Sequence, residues 1–155
     1  MGNRAVITIK KATNKTTGIY LHWNGGVESV EAFLTYCDMK GFRSPDTDCY
    51  GFAYLSTVIG NFFGDGLSLG VDRIECLDTD NYDNGVYYIE DWQIVSRSYK
   101  EEPLCTDKSG LYEALVMIND CQGEKIKVSK QTIIEYCYKK GIPVPVADEK
   151  EEEEN

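Results

Sequence analysis

Residues 78–85 read Asp-Thr-Asp-Asn-Tyr-Asp-Asn-Gly, a dense cluster of side-chain oxygens. Hard oxygen ligands of this kind suit calcium, so Asp78, Asp80 and Asp83 are candidates for a cation site. The cluster departs from an EF-hand loop. With Gly85 at the glycine position, Asp80 falls first and Asn84 fifth, but Tyr82 stands third and Asp91, not a glutamate, twelfth. The simpler reading is a connecting loop ending in an Asn84-Gly85 turn, where such residues are favoured for positive φ and local hydrogen bonds. No cofactor is expected from any motif.

His22 is the one histidine, so a nucleophilic triad has to be built around it, with Cys37 or Cys49 nearest in sequence. In a strand, Ile19, Leu21 and Trp23 share one face and Tyr20, His22 and Asn24 the other. His22 then lies on a surface or in a groove, and Tyr20, His22, Trp23 and Asn24 form a possible ligand groove. The glycines at 60, 64 and 66 lack both the Walker spacing and a following lysine, so they read as a helix exit and a tight turn. Adjacent acids such as Glu90 and Asp91, or Glu101 and Glu102, point to opposite faces of a strand and make poor acid/base pairs. Tyr82, Tyr87, Tyr88, Trp92 and Tyr99 crowd one region. Tyrosine and tryptophan offer large area and a polar handle at low entropy cost, which suits core packing or an interface.

The elements that position these residues follow from periodicity. Residues 4–10 (RAVITIK) and 18–23 (GIYLHW) predict a hairpin, closed by Asn24-Gly25-Gly26. Val27, Val30, Phe33, Leu34 and Cys37 predict an amphipathic helix, and residues 50–62 a second, largely buried one. Residues 67–76 alternate as a strand, followed by strands at 86–89 and 93–98. Helices are expected at 111–119 and 130–139, around a short turn or strand at 125–129. Ser129 caps the last helix, and Gly141 with Pro143 ends it. The expected fold is α+β: an antiparallel sheet in the order β-β-α-α-β-β-β with two helices packed on it. The expected organisation is a body (1–98), a linker (99–109), a helical subdomain or extension (110–142) and a disordered acidic tail (143–155).

Composition narrows the function classes. The chain has 155 residues, 42% hydrophobic and 11 of them tyrosine, enough for one buried core. Its six cysteines form no C-x-x-C pair, and one histidine cannot complete a zinc site. Met1-Gly2-Asn3-Arg4 leads straight into a short apolar run rather than a secretory core, so reduced thiols in a cytosol are expected, with Cys37, Cys121 and Cys137 buried in helices. No run approaches the length of a membrane span. The net charge of −10, with six acids against one lysine in residues 148–154, disfavours direct nucleic-acid binding and favours a basic partner.

Residues 20–26 (YLHWNGG), 58–64 (VIGNFFG) and 77–91 (LDTDNYDNGVYYIED) together resemble small phage and mobile-element proteins of Gram-positive bacteria, over about residues 4–97. The resemblance supplies no active site. It implies a cytosolic setting in a host cell and a protein that occludes a host factor, as anti-CRISPR and other anti-defence inhibitors do. The leading expectation is therefore a non-enzymatic inhibitor of a basic host protein, such as a nuclease effector. Its partner surface is expected at Asp78, Asp80, Asp83, Tyr82, Tyr87, Tyr88, Glu90, Asp91 and Trp92. One alternative is a binder of a small ligand such as a nucleotide signal, which needs the fold to gather Arg4, Arg43, Arg73 and Arg97. Another is an enzyme whose residues converge from distant segments. A homo-oligomer is compatible with each.

Overall fold

A computed structural model of the chain describes residues 2–64, 68–98, 107–146 and 148. Most of the expected linker, with Tyr99, Glu101, Glu102 and Cys105, and residues 147 and 149–155 of the expected tail lie outside the described residues.

Apolar alternation builds the start of the sheet. Strands β1 (Ala5–Ile9) and β2 (Thr17–Leu21) pair antiparallel, with Ile7 opposite Ile19 and Ala5 opposite Leu21. These four side chains face the helices and are fully buried. Helix α1 (Val27–Met39) buries Val30, Phe33, Leu34 and Cys37 at helical spacing, with Glu28 in its first turn where the macrodipole favours an acid. Helix α2 (Tyr50–Phe63) has no charged residue and ends at Gly64, whose φ of 87° releases the chain towards the sheet. Strand β3 (Leu69–Arg73) then pairs antiparallel with the outer side of β2. The strand expected to reach Cys76 is cut short by a 3-10 turn over Ile74–Cys76.

The architecture is α+β, but the sheet is mixed rather than antiparallel. Its order is β3-β2-β1-β4-β5, and β4 (Val86–Glu90) runs parallel to β1, with Val6 beside Val86 and Ile9 beside Ile89. Strands β3 and β4 run in the same direction, so a crossover of about a dozen residues must join them, and residues 74–85 carry the chain past β2 and β1 without an α-helix. The crossover starts where Ile74 N–H donates to Thr16 O and ends where Asn84 N–H donates to Arg4 O. It passes over the face away from the helices, where Leu77 lies against Gly18 and Val6. Strand β5 (Gln93–Arg97) closes the sheet as an antiparallel partner of β4, with an irregular register between Tyr88 and Ile89.

Residues 111–142 join the same core. Helix α3 (Leu111–Asp120) buries Leu111, Leu115 and Ile118, and helix α4 (Lys130–Lys140) buries Ile133, Ile134 and Cys137, in one cluster with Phe33, Leu55 and Ile59. Polar bolts accompany this packing: Tyr36 hydroxyl donates to Asn119 Oδ1 (2.7 Å), and Gln122 Nε2 donates to Val58 O (3.0 Å). Ser129 caps α4 by accepting from Thr132 N–H, and Gly141 ends it at φ 71°. Residues 125–129 form no strand. Cys37 and Cys137 are buried as expected, whereas Cys121 is exposed because it lies just past the last turn of α3, off the apolar stripe. Among the described residues no helix is long and apolar enough to cross a membrane.

Candidate functional site

Parallel pairing of β1 with β4 brings the starts of both strands to one end of the sheet, together with the exit of β2. The loop over residues 78–84 and the Tyr20-His22-Trp23-Asn24 group, far apart in sequence, meet there. Arg4 joins them. Its backbone N–H and Nε both donate to Asp83 Oδ2, at 3.0 and 2.8 Å, and its NH1 stands 3.6 Å from Asp78. The hydrogen bond to Asp83 is the largest influence holding the guanidinium above its ordinary pKa, with Asp78 and Tyr20 contributing. The cation beside Asp83 and Asp78 is Arg4 itself. Among the described residues no group of three acidic, histidine or cysteine side chains is arranged to hold a metal.

The loop conformation is set by Asn81, which is fully buried. Its Nδ2 donates to Asp78 O (2.9 Å) and Gly85 O (3.2 Å), and its Oδ1 accepts from the N–H groups of Asp83, Asn84 and Gly85 at 3.0–3.2 Å. Asn84 is buried too, donating to Asn3 Oδ1 and Arg4 O and accepting from Arg97 NH2. Between these anchors the chain turns out. Tyr82 is 82% exposed and held at φ 61°, a region that costs a bulky residue steric energy. Asp78 and Asp80 beside it are exposed.

Tyr20 hydroxyl and His22 Nδ1 share a hydrogen bond of 3.0 Å, whose direction is set by the imidazole tautomer: Nδ1 accepts when the proton is on Nε2 and donates when it carries one itself. Burial first, then Asp78, raises the Tyr20 pKa. The His22 ring meets Trp23 edge-on at 5.0 Å, and Trp23 is 44% exposed. The expectation that Trp23 shares the apolar face of Ile19 and Leu21 is corrected here. The strand ends at Leu21, and Asn24 at φ 57° turns the chain away. His22 bonds to a tyrosine rather than to a thiol or carboxylate, and Cys37 is sealed in the core. The triad weighed for this histidine with Cys37 as nucleophile therefore has no geometry here.

The other expected partner residues do not share this surface. Tyr87 and Trp92 are core: Tyr87 is fully buried with its hydroxyl donating to Gly25 O (2.8 Å), and Trp92 is 4% exposed with Nε1 donating to Phe42 O (2.7 Å). Tyr88 is half-buried on the face away from the helices. Glu90 pairs with Lys10, and Asp91 N–H donates to Asp46 Oδ1, at the opposite end of β4. Five strand residues at ~3.3 Å each separate the two ends by about 17 Å. No protein-family model, curated protein or solved structure matches the chain.

Two of the four arginines, Arg4 and Arg97, converge on the 83–84 segment, and the other two are paired elsewhere. Arg43 pairs with Asp48 and lies over Tyr50, Arg73 pairs with Glu75, and Arg97 bonds Asn84 and covers Tyr87. Among the described residues the four side chains are not gathered into one pocket. A groove of about 400 Å³ that sequence reasoning missed opens between α1, β5 and α4, lined by Leu34, Asp38, Trp92, Tyr136 and Lys140 among others. There Tyr136 hydroxyl donates to Asp38, and Lys140 stands 3.8 Å from the same carboxylate. Burial and this bond both raise the Tyr136 pKa. The contact ties α4 to α1, and only the i, i+4 spacing of Tyr136 and Lys140 could have hinted at it.

Proposed function

We propose that this protein is a non-catalytic binding protein that docks the 78–83 loop on a basic host protein, occluding a nucleic-acid-binding surface as an anti-defence inhibitor does. One observation carries the reading: Tyr82 is presented to solvent in a strained conformation on a loop locked from beneath by Asn81. An exposed aromatic kept in a costly conformation is a pre-organised anchor, which saves ordering entropy on binding. Asp78 and Asp80 flank it with negative charge, in a chain of net −10, and steer a basic partner. Trp23 and His22 extend the surface. Asp83 acts from behind by fixing Arg4.

The test uses Tyr82→Ala combined with Asp80→Asn, because neither side chain supports the loop. Protein purified gently from a bacterial host carrying candidate defence systems is analysed by native mass spectrometry. A stoichiometric basic protein retained by the wild type and lost from the double variant is the expected result. Equal retention by both places the contact elsewhere, and a small-molecule adduct in place of a protein favours the ligand reading.

A further inference from the structure

Among the described residues strand β3 ends the sheet, and the backbone groups it turns away from β2 are specific. His22 N–H donates to Ser68 O and Ile74 N–H to Thr16 O, so alternation along the ladder turns the backbone groups of residues 68, 70, 72 and 74 towards β2. Those of Leu69, Val71 and Arg73 therefore point outwards. Val71, at the centre, is 53% exposed, a β-branched side chain on an open strand. The edge carries no proline and no register irregularity, unlike the β4–β5 side. Helix α2, packed beside it, has no acidic or basic residue in 14 positions, in a chain that is 27% charged. Its exposed positions are Tyr50, Ala53 and Thr57.

We propose that this edge is the interface for a second copy of the chain, joined by antiparallel pairing of β3 with β3 across a twofold axis. The strand is self-complementary in one register. Outward residues must face outward residues, and placing Val71 opposite Val71 aligns Leu69 with Arg73 and Gly70 with Asp72 along the whole strand. That alignment permits about six backbone hydrogen bonds and buries the exposed valine against its twin. Asp72 faces a glycine instead of another acid, and Arg73 lays its aliphatic stem along Leu69. A shift of two residues towards the C-terminus would set Asp72 against Asp72. Arg73 N–H currently donates to Asp72 Oδ1 (2.7 Å), a bond that pairing exchanges for the partner's Leu69 carbonyl. Two chains of net −10 repel, so they meet best where net charge is low: α2 carries no charged residue, and in β3 Asp72 is offset by Arg73. The assembly is one ten-stranded sheet of the closed, isologous kind.

Sedimentation equilibrium of the full chain tests this, with the 17.5 kDa monomer as reference. The wild type is expected at twice that mass in the micromolar range, with slow hydrogen exchange at the amides of Leu69, Val71 and Arg73. Val71→Glu, which sets two acids across the axis, weakens dimerisation roughly tenfold or more and releases those amides while leaving circular dichroism unchanged. Ser96→Glu on the opposite edge strand leaves the dimer intact. A monomeric wild type, a dimer that survives Val71→Glu with the amides still exposed, or dissociation by Ser96→Glu alone overturns the proposal.

Discussion

Replacing Asn81 by alanine tests whether the candidate loop is a rigid platform. The side chain makes five hydrogen bonds to backbone groups, but they are not equivalent. Asn84 N–H keeps a second acceptor in Arg4 O, and Gly85 O keeps the Val6 N–H donor. The loss falls on Gly85 N–H, which is buried, and on Asp83 N–H and Asp78 O, which water can reach. A buried donor left without an acceptor costs about 1–3 kcal/mol, and each bond exchanged for water about 1 kcal/mol net. The expected destabilisation is about 3 kcal/mol, or roughly 6–12 °C in Tm at 2–4 °C per kcal/mol for a chain of this size. Urea unfolding should show a lower midpoint with unchanged slope. Affinity for the partner should also fall although Tyr82 and Asp80 are intact, because the bound loop conformation becomes only one of several populated. A loss below about 1 kcal/mol with affinity unchanged would refute the idea that Asn81 holds the loop.

Three other outcomes follow from the same structure. Tyr82→Gly relieves the φ of 61° and should raise stability by about 0.5–1 kcal/mol while abolishing the anchor, so a variant both more stable and weaker in binding is expected from unfolding and binding titrations run together. Burial pushes the Cys137 thiol up to about 11 and raises that of Cys37, from an ordinary 9.0. Because the folded pKa values are raised, stability is fully present below pH 9 and falls above it as the unfolded chain alone loses these protons. The cost is about 1 kcal/mol per thiol by pH 10, and replacing both cysteines by alanine should flatten that stretch of the pH profile. Tyr136→Phe removes the donor to Asp38 and should cost about 1.5 kcal/mol, with faster hydrogen exchange confined largely to α4; uniform acceleration would mean the bond is not what ties that helix down.

Much of the local structure is legible in the residues, because period and capping chemistry act over short range. Val30, Phe33, Leu34 and Cys37 mark α1, Ser129 and Gly141 bracket α4, and Gly64 ends α2, each for the reason its residue type suggests. What periodicity cannot carry is the pairing of strands. Residues 77–85 have the composition of a turn, and a turn between adjacent strands implies an antiparallel sheet. The same composition also suits a crossover that buries Asn81 and Asn84 against its own backbone. Burial of two asparagines has no hydropathy signature, so the hub of the loop was not visible, and neither was the hidden cation, since Arg4 reaches Asp83 across 79 positions.

The topology also explains why aromatic density misleads here. Residues 82–92 look like one sticky surface when written in a line, but a five-residue strand sends its ends to opposite sides of the sheet and alternates its middle between two faces. Tyr87 and Ile89 face the helices, Tyr88 faces the other way, and Trp92 is drawn into the core although the Asp91-Trp92 turn sets both residues at positive φ, 50° and 63°. Both Tyr82 and Trp92 thus occupy strained backbone, with opposite returns. Trp92 recovers the strain within the molecule, through burial and the indole bond to Phe42 O. Tyr82 recovers nothing comparable with its ring in solvent, and this asymmetry is why the compensation for Tyr82 is sought in a partner.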